Sequence, residues 1–249
     1  MLEGFFQKEP EKNSLQSEHL ENIRPIIACL CDEKNLDPET SKVLNHITAT
    51  GQKIDFYGDV VVLDERNIRN AGMGTYVISE TNKTDKYSEE YANCTGIALV
   101  GTDKDTGEQI SFLSHQNPPI FLDVYKRRFK KDLISAIRTH KERSLPGTGD
   151  AVIFGGNRSF FARDLSEYSK SIKMLSDICK GELSFEPTVL TGPNIETETG
   201  KTAAFLDTQN RRLYIVRPAQ QSNKTNESYL AKDVKKNVNS GRWQKWENF

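Results

Sequence analysis

Two apolar runs joined by a short polar turn occupy the middle of this chain and limit what it can fold into. Residues 95–100 read Thr-Gly-Ile-Ala-Leu-Val, residues 110–113 read Ile-Ser-Phe-Leu, and a stretch containing Asp-Lys-Asp-Thr-Gly-Glu separates them. Such runs around a glycine-bearing turn predict an antiparallel hairpin. Gly107 suits the left-handed position that closes a type I turn. If the loop runs from Lys104 to Gly107, Asp103 pairs with Glu108. Counting back along that register places Cys94 opposite Asn117, with His115 diagonal to Cys94 on the same face. A slightly different turn puts Cys94 directly opposite His115, and a one-residue slip puts the two on opposite faces. Diagonal neighbours lie roughly 7–8 Å apart at the backbone, within reach of an imidazole.

A thiol and an imidazole brought together in this way are the minimum equipment for thiolate catalysis. The chain has four cysteines and four histidines. Spacing alone better serves a core cysteine acting as a small hydrophobe and a surface histidine beside Pro118 and Pro119. No third ligand of suitable type stands near the pair, so no metal site is expected. Cys29 and Cys31 are two apart, and Cys94 and Cys179 are isolated. This is neither a disulfide framework nor a zinc ligand set, and it fits a reducing compartment.

The remaining pattern alternates helices and strands. Apolar residues at Leu20, Ile23, Ile26, Ile27 and Leu30 predict a helix over about residues 18–33. A second helix is expected after Asp37, a suitable N-cap, with Pro38 at its first position and Gly51 at its end. Strands are predicted over residues 59–64 and 74–79, and a polar loop over residues 80–90 leads to Cys94. Asp123 opens a long amphipathic helix carrying Phe129, Leu133 and Ile137. A buried-type strand follows over residues 150–156. A helix from Asp164 to Gly181 and two strands, near residues 202–207 and 211–216, complete the pattern. Strands mixed with long helices imply an α/β layered sandwich, a mixed β-sheet flanked by helices.

The order of parts resembles the CheD family of chemoreceptor glutamine deamidases. That family has a Gly-Ser-Cys element opening a strand, a His after the next strand, a long helix and then a Phe-Gly-Gly strand. Here Asn93-Cys94-Thr95-Gly96, then Leu113-Ser114-His115, a long helix, and Ala151-Val-Ile-Phe-Gly-Gly-Asn157 stand in those places. The resemblance covers residues 58–217. It leaves residues 1–57 as a helical N-terminal extension and 218–249 as a polar C-terminal one. The catalytic domains of cytotoxic necrotizing factor and Burkholderia lethal factor share that fold and a Cys–His hairpin. In the superfamily a Thr several residues before the Cys, or a main-chain carbonyl, orients the His. Ser88, six residues before Cys94, stands at the matching position. The sequence departs from the family at Ala92-Asn93, where the family has Gly-Ser, and in its longer hairpin loop.

The resemblance implies a protein-glutamine deamidase of Cys94 and His115, with Ser88 orienting the His and the main-chain N–H groups of Asn93 and Cys94 meeting the oxyanion. It needs no cofactor, and its partner is a protein substrate with an accessible glutamine. A chemotaxis enzyme and a bacterial effector or toxin acting on a host protein are both consistent with it. A thiol protease, a transamidase on the same dyad and a non-catalytic binding module remain open. A net charge of −1, from 34 basic and 35 acidic residues, does not point to nucleic acid. No apolar run is long enough to span a bilayer. The first residues lack a charged start followed by an apolar stretch, so no standard secretory signal is expected. The sequence therefore predicts a cytoplasmic location, or delivery into a host cytosol by an export signal of another kind.

Overall fold

The turn chemistry read from the sequence forms as expected. In the computed structural model Asp103 N–H donates to Glu108 O at 2.7 Å, and Gly107, at φ 74°, closes the loop onto Asp103 O. The hairpin strands are β5 (Thr95–Thr102) and β6 (Gln109–Gln116). The structure describes residues 25–54, 76–91, 94–118, 126–155, 162–190 and 202–217. The strand expected over residues 59–64, the helix-opening Asp123, and the C-terminal extension over residues 218–249 lie outside these.

Around the hairpin, β3 (Tyr76–Ile78), β7 (Asp150–Gly155) and β8 (Thr188–Leu190) complete a sheet of order β3-β6-β5-β7-β8. Its two long strands are buried on both sides. On one face Ile97, Leu99, Phe112 and Ile153 pack against two helices, α2 (Lys126–Arg143) and α3 (Ala162–Leu183), through Phe129, Leu133, Ile137, Ile172 and Leu175. α3 runs past Gly181 because Leu183 is also buried, and it stops at Ser184, whose φ is 64°.

The other face meets a second sheet, where a single mixed sheet was expected. Its strands are β1 (Ile27–Asp32), β10 (Arg212–Arg217), β9 (Ala203–Asp207), β4 (Lys86–Ser88) and β2 (Gln52–Lys53), in that order. Ala98, Val100, Leu113, Val152 and Phe154 pack against Ala204, Leu206, Leu213 and Ile215 between the sheets. On the far side α1 (Pro38–Thr50) lays Leu44 and Ile47 over Tyr87, Phe205 and Tyr214. Its cap is the predicted one: Asp37 accepts from Glu39 and Thr40 N–H, and Gly51 ends it on Ile47 O. The layers run helix pair, sheet, sheet, helix.

The second sheet was concealed in two ways. Residues 27–32 form a strand, not part of a helix, and pair in parallel with β10 from Ile27↔Arg212 to Asp32↔Arg217. In this strand Ala28 and Leu30 face one core while Cys29 and Cys31 face another, so the run lacks the alternation that marks a strand. The segment expected as a helical extension is, over residues 26–54, built into the sandwich. Ile26 N–H also donates to Asp150 Oδ2 in the other sheet at 2.8 Å.

The second concealment is β4, three residues of an expected polar loop. Lys86 and Ser88 are fully buried. The Lys86 ammonium reaches Thr84 O at 2.7 Å, Asn82 Oδ1 at 3.0 Å and Ser111 Oγ on β6 at 3.0 Å. Those partners satisfy a polar strand in an interior place, which hydropathy cannot anticipate.

Gly155, the first glycine of the Phe-Gly-Gly strand, lies under Tyr168 of α3. A Cβ there would overlap the phenol ring. Gly155→Ala should therefore cost about 1–3 kcal/mol by overpacking, read as a lower urea midpoint with an unchanged slope. A neutral result would mean the ring can move aside.

Candidate active site

The hairpin register decides where the thiol and imidazole meet. The last ladder pair is Thr95↔Gln116, and one step beyond it Cys94 lies across from Asn117 and diagonal to His115. Ala98, Val100 and Leu113 show which face this is: the one between the sheets. Cys94 belongs to the same apolar cluster, and His115 meets Ser88 of the opposite sheet there. The structure thus puts Cys94 and His115 on one face of the hairpin and brings Ser88 onto His115.

Ser88 holds the imidazole through a relay. Its hydroxyl donates to Ile54 O at 2.8 Å. A hydroxyl has one proton, so toward His115 Nδ1, 3.0 Å away, it accepts. His115 is then protonated on Nδ1, which leaves the Nε2 lone pair available as a base. β4 projects Ser88 toward β6 for the same reason that it projects Lys86: residues two apart on a strand share a face.

Tyr91 is a further residue at the site, and the sequence reading did not single it out. It is fully buried, and its ring stacks on the imidazole with centroids 3.8 Å apart and planes 14° apart. Its hydroxyl donates to Ser114 O at 3.0 Å. An aromatic residue three positions before a cysteine carries no signal of such a role.

Burial governs the electrostatics. Cys94 is 4% exposed and His115 is fully buried. Desolvation pushes the Cys94 thiol well up and brings His115 down to about 3. At rest the pair is therefore a thiol beside a neutral imidazole. A hairpin entry beside an imidazole predicts an accessible, acidified thiol. Here the second sheet covers that entry and removes the water a thiolate needs. Cys29 and Cys31 are the half-buried cysteines, and Cys179 is fully buried.

Asn93, expected to offer a main-chain N–H to an oxyanion, lies outside the described residues. Among the described residues no cluster of three or more metal-ligating side chains occurs. No helix among them is long and apolar enough to cross a membrane. No known family model matches the chain, and no curated protein matches it.

A second buried histidine, His140, is brought down to about 4, chiefly by desolvation. Both histidines stay neutral in the fold, while in the unfolded chain they protonate near 6.5. The unfolded state binds more protons as pH falls below 6.5, so stability drops from there toward pH 3–4. Urea midpoints from pH 7.5 to 4 should show this slope, and His115→Gln should make it shallower. An identical slope in the variant would mean that His115 protonates freely within the fold.

Proposed function

We propose that this protein is a cysteine-dependent hydrolase of carboxamides, a protein-glutamine deamidase of the CheD-like kind. The observation that carries the reading is the Ser88–His115 contact, which sets the tautomer a general base requires on the face that holds Cys94. Any buried imidazole N–H needs an acceptor, and the buried His140 has a serine hydroxyl of this kind too; what marks His115 is that its fixed tautomer lies on the face that also holds Cys94.

The chemistry runs in two halves. His115 Nε2 takes the Cys94 proton as the thiolate attacks the carboxamide carbon of a substrate glutamine. The main-chain N–H of Cys94 meets the oxyanion, joined by that of Asn93 as the family resemblance implies. The C–N bond breaks, and ammonia leaves with the proton from His115. Water then gives a proton to His115 and attacks the thioester, the C–S bond breaks, and Cys94 regains its proton. The product is glutamate. Because the resting pair is neutral and dry, the ion pair forms only once a polar substrate group enters beside it. The substrate is a protein with an accessible glutamine, either a bacterial chemoreceptor or a host protein reached by a bacterial effector.

The burial of Cys94 favours a second reading, a binding module that keeps the fold and uses Cys94 as core. The two readings part on mass. Wild type should add about one dalton per glutamine converted in a target protein, and Cys94→Ser and His115→Ala should not. Incubation with a chemoreceptor fragment and with a host-cell lysate, followed by tryptic mapping, reads this. Cleavage or amine incorporation that depends on Cys94 would select a protease or transamidase. A mass shift undiminished in Cys94→Ser would remove the dyad from the mechanism.

Ser88→Ala should lower the rate roughly 10- to 100-fold, by freeing the wrong tautomer, while Ser88→Thr keeps most of it. Equal rates in all three proteins would show that another group orients the imidazole.

A further inference from the structure

The ladder between β5 and β6 is interrupted where it carries the histidine. Hydrogen-bonded pairs fall at Asp103/Glu108 and then at every second residue, so Ile97 and Ser114 should exchange main-chain bonds. They form no ladder pair, and the register resumes only at Thr95↔Gln116. Ile97 N–H donates instead to Ser114 Oγ at 3.0 Å. The Ser114 carbonyl has turned to the Tyr91 hydroxyl. That carbonyl belongs to the peptide linking Ser114 to His115, so Tyr91 grips the histidine by its backbone as well as by its ring.

Tyr91 is in turn fixed from two further sides. Its own N–H donates to Thr202 O at 2.9 Å. Phe154 leans on its ring, with centroids 5.1 Å apart. Phe154 fits there because residue 96, across from His115, is glycine. A Cβ at Gly96 would lie 2.6 Å from Phe154 Cζ and 2.6 Å from Ser114 O. The diverted carbonyl and the supporting ring both occupy space that only glycine leaves open.

We infer that Tyr91 is a positioning residue for the Cys94–His115 reaction, holding the imidazole plane by stacking and the His115 peptide by its hydroxyl. This rests on the proposed function, since positioning has meaning only if His115 acts on Cys94. The ring has a second use. Its electron-rich face lies against the imidazole and favours the imidazolium that forms as the thiolate does. Ser88 governs which nitrogen carries the proton, and Tyr91 governs where the ring points.

Alkylation of Cys94 by iodoacetamide tests the assignment, because the reagent itself carries a primary carboxamide. The rate at Cys94 is followed by peptide mapping, with Cys29 as internal reference. Wild type should exceed His115→Ala by at least ~10-fold. Tyr91→Phe, which keeps the ring and loses the hydroxyl, should lower the wild-type rate roughly 3- to 10-fold and change nothing in the His115→Ala background. Tyr91→Leu should lower it further. A ring free to turn leaves the Ser88 hydroxyl part of the time, so nitrogen NMR should then show a mixture of His115 tautomers where wild type and Tyr91→Phe show the Nδ1–H form.

The same loss from Tyr91→Phe in both backgrounds, or no loss in either, would overturn the assignment while leaving the dyad intact. Equal Cys94 alkylation in wild type and His115→Ala would instead overturn the proposed function, and this inference with it. Should Tyr91→Leu fail to fold, as judged by circular dichroism, the Tyr91→Phe cycle decides alone.

Discussion

A polar strand held between two apolar sheets is the constraint on which the rest of the structure depends. β4 sends Lys86 and Ser88 inward, and each meets β6: Lys86 at Ser111 and Ser88 at His115. A slip of one residue would send Tyr87 into that interior and strand an ammonium against the apolar face of α1. An uncompensated buried charge costs about 3–5 kcal/mol, more than the roughly 1.5–3 kcal/mol that a displaced aliphatic side chain loses. The two contacts therefore set how the sheets lie on each other. Burial lowers Lys86 to about 8, so the pin is still charged at neutral pH.

The same dryness that gives those polar contacts their weight keeps the candidate dyad at rest. In a wet cleft a thiol and an imidazole exchange a proton readily. Between two sheets both charges lose their hydration, and the neutral forms win. Order in the dyad and its activation are thus separate matters here. Ser88, Ile54 and Tyr91 supply the order in the resting protein, and in the proposed reaction the polar group of a substrate would supply the missing solvation.

Local rules carried the reading a long way. The N-cap of α1, the hairpin loop, the left-handed Gly107 and the pairing of Asp103 with Glu108 all follow from neighbours in sequence. So does the shared face of Cys94 and His115, because a turn sets the register of the strands it joins. Ser88 came from a family resemblance rather than from any local rule. Residues 27–32 were misread because an edge strand that faces two cores shows no alternation. Residues 86–88 were misread because the partners that draw them inward on β6 and at Ile54 sit 25 to 34 positions away.

The sequence by itself determined the hairpin, its register and thus the diagonal placement of a thiol and an imidazole, since turn chemistry acts over a few residues. It also determined the capped helix and the amphipathic faces that cover the sheets. Only the tertiary structure decided that two sheets stack, that Cys94 is shut between them, and that Tyr91 and Ser88 close on His115. Those outcomes depend on which apolar face finds which partner across the whole chain, and on the water that this pairing excludes.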